Sequence, residues 1–135
     1  MPFRVTHDNG TTIIAIVGHL LTDNRAEFKQ RALDETDHGV RRIVVDLRET
    51  EYIDSSGLGA LVSVSKKLRD LAGQLWVSNL NSDLRTLFQL TRLELVLPEL
   101  PDGPGTISER ARAATPRQRG TGTYSGAGED SRPNV

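Results

Sequence analysis

Arg42 to Leu47, RIVVDL, restricts the fold of this chain more than any other segment. It sets Ile43, Val44 and Val45 in succession, and β-branched side chains favour an extended backbone. Neighbouring strand residues face opposite sides of a sheet, so three apolar side chains in a row describe a strand buried on both faces. Such a strand belongs at the centre of a sheet.

The rest of the order follows around it. Phe3 to Thr6 and Thr12 to Val17 read as extended segments. Asp8-Asn9-Gly10 between them carries the Asn-Gly signal of a tight hairpin. A helix is expected after Gly18-His19-Leu20-Leu21-Thr22-Asp23-Asn24, with Asn24 as its cap, Glu27 at the reciprocal third position, and Phe28, Ala32 and Leu33 facing inward. His38-Gly39 offers its stop. Beyond the central strand, Leu58, Leu61, Val62, Ser65 and Leu68 recur on one helical face and Gly73 is read as the terminator. Leu75-Trp76-Val77 reads as a strand, Asn81-Ser82 as a cap for a short helix carrying Leu84, Leu87 and Phe88, and Leu95-Val96-Leu97 as a last extended run. Strands alternating with helices give an α/β domain: a mixed β-sheet of four to five strands with three principal helices.

This order is expected to occupy residues 1–100 as one domain. The remainder, 101–135, is rich in Gly, Pro, Ser, Thr and Arg and reads as a disordered tail, its one stretch of helical pattern, Ile107 to Ala114, needing a partner to stabilise it. A chain of 135 residues has room for a single core. Its formal charge of -1 gives no general attraction to nucleic acid, and direct nucleic-acid binding is not expected. With no cysteine, thiolate chemistry is absent. His7, His19 and His38 are scattered without ligand spacing, so neither a metal nor another cofactor is expected. No apolar run is long enough to span a bilayer, and MPFRVTHDNG lacks the basic start and apolar stretch of a secretory signal. A cytoplasmic location without membrane attachment is expected.

The chemistry concentrates at one junction. Asp54, Ser55 and Ser56 stand where a strand hands over to a helix, followed by Gly57, Leu58 and Gly59. The first turn of a helix exposes amide hydrogens and favours negative charge, so a phosphate is accommodated there without a metal. One reading is plain capping by a serine, with glycines that let helix and sheet pack closely. A second is a modification switch, in which a phosphoryl group adds roughly two negative charges to a small hydroxyl. A catalytic serine fares worse than either, because the run lacks the G-x-S-x-G elbow and no histidine is assignable as its base. Gly57 and Gly59 make neither a P-loop nor a dinucleotide fingerprint. From the residues alone, capping and switching both remain open.

The run Val44-Val45-Asp46-Leu47, followed by Tyr52-Ile53-Asp54-Ser55-Ser56-Gly57-Leu58-Gly59, resembles the signature of STAS domains, in particular of bacterial anti-sigma factor antagonists. The resemblance spans roughly residues 3 to 98. Gly73 to Val77 and Leu84 to Phe88 are similar to the family's later strand and short helix. It implies a regulator rather than an enzyme: unphosphorylated, the chain binds an anti-sigma factor that is also a serine kinase, and the sigma factor is released. Phosphorylation at Ser55 by that ATP-using kinase ends the interaction, and a serine phosphatase acting on phospho-Ser55 restores it. Asp54 is then the neighbour that shapes the site, Ser56 the helix cap, and Gly57 and Gly59 the residues that keep the first turn open. Leu58 belongs to the same surface. Leu21 and Asp23 fall in a loop at the family's partner-facing edge, where Leu21 replaces a frequent aspartate. A stressosome-like scaffold component and an accessory STAS protein of a lipid transporter are the alternatives.

Overall fold

A computed structural model of the chain describes residues 3–115. Strands β1 (Phe3–Asp8) and β2 (Thr11–Ile16) form an antiparallel hairpin whose two-residue loop, Asn9 and Gly10, has φ of 51° and 82°. Two consecutive left-handed residues are what the twist of a tight hairpin demands. The short β3 (Gly18–Leu20) leads to helix α1 (Arg25–Asp37), then β4 (Arg42–Asp46), β5 (Thr50–Ile53), α2 (Ser55–Asp70), β6 (Gln74–Ser78) and α3 (Ser82–Leu90). The main sheet has the order β1-β2-β4-β6, with β2, β4 and β6 parallel, and β3 pairs in parallel with β5. The mixed α/β sheet and its three principal helices agree with the expectation.

β4 lies between β2 and β6, and its β-branched run divides between two apolar layers. Ile43 and Val45 join Ile14, Ile16, Leu75 and Val77 against Phe28 and Ala32 of α1, Ala60, Leu61, Val64 and Leu68 of α2, and Leu84 and Phe88 of α3. Val44 points the other way, beside Trp76. The alternation of a strand thus buries every member of the run.

That second layer corrects the expected domain limit at residue 100. A fourth helix, α4 (Ile107–Ala114), sets the fully buried Ala111 against Val44, Trp76 and Leu100, with Ile107, Ala114 and Ile13 packed around them. Its own apolar content is low, as the sequence suggested, but the sheet supplies the other half of the buried surface. A reciprocal capping box fixes its start: Glu109 N–H donates to Thr106 Oγ1 at 3.1 Å and Thr106 N–H to Glu109 Oε1 at 2.7 Å. Residues 116–135 of the expected tail lie outside the described residues.

Two local expectations change as well. Leu95-Val96-Leu97 is not a strand: a 3-10 turn runs over Leu93–Leu95, and the edge of β6 is met instead by Pro98 to Leu100. Val77 N–H donates to Pro98 O at 3.0 Å and Leu100 N–H to Val77 O at 2.7 Å, so the missing proline donor costs this contact nothing. Gly73 does not supply the left-handed residue after α2, since Ala72 takes φ of 62°. It is needed because a Cβ there would stand 2.4 Å from Arg41 O. Among the described residues no helix is long and apolar enough to cross a membrane.

Candidate functional site

Parallel pairing brings Leu20 and Ile53 side by side at the carboxyl ends of β3 and β5, so the β3-α1 loop and the start of α2 emerge at one edge. Asp54 N–H donates to Leu20 O at 3.2 Å and ties the two together. Helix α2 then begins so close to β3 that a Cβ on Gly57 would lie 2.3 Å from Leu20 O and 2.9 Å from Ile53 Cγ2. Only glycine fits. Gly57 is therefore buried against the strand end rather than keeping the turn open, whereas Gly59 is exposed with nothing within 4 Å of an added Cβ.

The cap also differs from the expected one. Asp54, not Ser56, occupies the N-cap of α2 with extended backbone, and its Oδ1 accepts from Gly57 N–H at 2.8 Å. Ser56 Oγ donates to the same Oδ1 at 2.8 Å. The Gly57 amide first, and the Ser56 hydroxyl second, hold the Asp54 carboxyl below the usual carboxylate range, so it is an anion at neutral pH. Ser55 is the first helical residue and is exposed; among the described residues its hydroxyl has no side-chain hydrogen bond comparable to those of its neighbours.

Across the edge, Thr22 Oγ1 lies 3.0 Å from Ser56 Oγ and 3.4 Å from Asp54 Oδ2. Sequence reasoning passed over Thr22, because nothing local relates it to a serine 34 positions away. Asn24 also behaves differently from the expected cap of α1: its side chain makes no cap hydrogen bond but accepts from Leu21 N–H at 2.9 Å and donates to His19 O at 2.9 Å, stapling the loop that carries Thr22. Leu21 is half-buried. Asp23 is exposed and sits 3.5 Å from His19 Nε2. Leu58 is likewise half-buried, packed against the main core. His19 and Tyr52 are partners in the β3-β5 register, and Tyr52 is 61% exposed.

The edge thus gathers Asp54, Ser55, Ser56 and Gly59 from the start of α2 and Thr22 and Asp23 from the β3-α1 loop, with Leu21 and Leu58 half-buried and Gly57 buried beside them. No Lys or Arg is hydrogen-bonded to Asp54, Ser56 or Thr22 among the described residues. Among the same residues no group of three His, Asp or Glu is placed to hold a metal ion. The arrangement presents an exposed hydroxyl at a helix start beside a fixed anion.

A family model described as the STAS domain matches residues 2–104. The chain is 29% identical over 90 residues to BtrV of Bordetella bronchiseptica, covering 67% of this chain and 78% of that protein, whose name provisionally assigns it as an anti-sigma factor antagonist. It is 23% identical over 111 residues to the anti-sigma F factor antagonist of Paenibacillus polymyxa, covering 81% and 94% of the two chains. Among solved structures, the solution structure of TM1081 from Thermotoga maritima superposes with a TM-score of 0.73 at 26% identity, over 86% of this chain and 90% of that one.

Proposed function

Because the chain belongs to the STAS domain family, we propose that it is a bacterial anti-sigma factor antagonist, switched by phosphorylation of Ser55. Unphosphorylated, it binds an anti-sigma factor that is also a serine kinase, in the cytoplasm, and the sigma factor is released. The kinase transfers a phosphoryl group from ATP to Ser55, and a serine phosphatase removes it. The names of the Bordetella and Paenibacillus relatives support the antagonist reading.

The observation that carries the site assignment is the contrast between two adjacent serines. Ser55 is exposed at the first position of α2, while the Ser56 hydroxyl is engaged with Asp54. The partner surface comprises Asp54, Ser55, Ser56, Leu58 and Gly59, with Leu21 and Asp23 from the neighbouring loop and Gly57 setting the height of the helix. A phosphoryl group on Ser55 adds roughly two negative charges next to the Asp54 anion. In the centre of a desolvated interface, charge with no cation to receive it is strongly unfavourable, so the complex dissociates.

The test is affinity capture from native extract with the wild-type protein beside Ser55→Asp and Ser55→Ala, with bound proteins identified by mass spectrometry. Wild type and Ser55→Ala are expected to recover a serine kinase that Ser55→Asp loses. Recovery of one and the same STAS assembly or transporter ATPase by all three baits would refute the proposal and move the chain to a scaffold or accessory role.

A further inference from the structure

Two adjacent hydroxyls stand at the start of α2, and the fold treats them differently through a third one on another loop. Ser56 gives its single proton to Asp54 Oδ1 at 2.8 Å. The Thr22 hydroxyl, 3.0 Å from Ser56 Oγ and 3.4 Å from Asp54 Oδ2, then has its one proton to share between these two acceptors, the shorter contact being to Ser56. Ser56 is thereby held from both sides, its proton on a carboxylate and a lone pair on Thr22. Thr22 is itself held in place, because the Asn24 side chain closes the loop onto Leu21 N–H and His19 O.

We propose that Thr22 is a selectivity residue: by holding the Ser56 hydroxyl it confines phosphorylation to Ser55. This rests on the phosphorylation switch proposed above. In the transfer the serine oxygen forms a bond to the γ-phosphorus of ATP as the bond to the bridging β,γ oxygen breaks, giving phosphoserine and ADP, and the hydroxyl proton passes to a base of the kinase. Ser55 meets these requirements from the conformation it already has. Ser56 must first release both of its hydrogen bonds and turn its lone pair from Thr22 to phosphorus. Asp54 does not substitute for the kinase base, because the Gly57 amide and the serine hydroxyl that stabilise its anion make it a poor proton acceptor.

Thr22→Val keeps the shape of the side chain and removes the hydroxyl, and Thr22→Ser returns it. Each protein is incubated with the serine kinase recovered by wild-type capture and magnesium ATP, and phosphate is located by tandem mass spectrometry. Wild type and Thr22→Ser are expected to carry phosphate on Ser55 alone, and Thr22→Val to raise the share on Ser56 at least tenfold. Ser55→Ala should remain unmodified, whereas the double variant Ser55→Ala, Thr22→Val should accept phosphate on Ser56. Modification of Thr22→Val confined to Ser55 would overturn the selectivity role and leave the switch at Ser55 standing. Wild type without phosphate on Ser55 would overturn both. Independently of any kinase, NMR side-chain couplings are expected to show one Ser56 rotamer in wild type and averaging in Thr22→Val. A single rotamer in both would refute the role of Thr22.

Discussion

Two glycines of one helix, two residues apart, are expected to answer the same substitution with opposite signs. In Gly57→Ala the new methyl would meet Leu20 O at 2.3 Å and Ile53 Cγ2 at 2.9 Å. The first of these is backbone, paired with Asp54 N–H and unable to swing aside. Overpacking of this kind costs about 1–3 kcal/mol, and the rigid neighbour puts the penalty near the upper end. Alanine recovers about 1 kcal/mol of helix propensity relative to glycine, leaving a net loss of about 2 kcal/mol. For a domain of this size that lowers the thermal midpoint by roughly 8 °C or more. Gly59→Ala has no neighbour within 4 Å, so only the propensity gain remains, about 0.4–1 kcal/mol, and the midpoint should rise by a few degrees. Thermal unfolding followed by circular dichroism, with urea midpoints as a second measure, tests both. Equal stability of Gly57→Ala and wild type, or equal losses in the two variants, would refute the close approach of α2 to the end of β3.

Asp54 has a folded pKa below its unfolded value, so it contributes stability above the unfolded value that is lost as pH falls through the folded one. Asp54→Asn should therefore be less stable than wild type at pH 7 and show a flatter loss of stability on acidification, measured by urea unfolding from pH 7 to pH 2; parallel profiles would contradict the cap. Truncation after Gly105 removes α4 and should shift the fluorescence of Trp76, the only tryptophan, to longer wavelength, whereas truncation after Thr115 should leave it unchanged. Ser55→Asp should weaken binding to the captured kinase at least tenfold by calorimetry, while Ser55→Ala stays near wild type.

Much of the fold was legible because its signals are local. The hairpin is written in Asn9-Gly10, where two consecutive residues must take positive φ, and the central strand in Ile43-Val44-Val45, whose alternation needs two apolar layers. The same run already implied that something must cover Val44, yet the covering helix looked too poor in apolar residues to stand. Judged alone, Ile107 to Ala114 lacks a core; set on Val44 and Trp76, it completes one.

The site divides along the same line. Composition and order placed two serines and two glycines at a strand-to-helix junction, residues 54–59, with capping and switching both open, and the resemblance pointed to Ser55. Which residue caps, which glycine is compelled and which serine is held are settled by separations of a few ångströms between segments distant in sequence. Gly57 and Gly59 are alike as letters; the end of β3 makes one indispensable and leaves the other free. Thr22 meets Ser56 only because β3 and β5 run parallel and end together, bringing residues 34 positions apart to 3.0 Å. Local backbone preference and alternation are properties of the chain, but steric exclusion and the sharing of a proton between loops exist only once the sheet has set their distance.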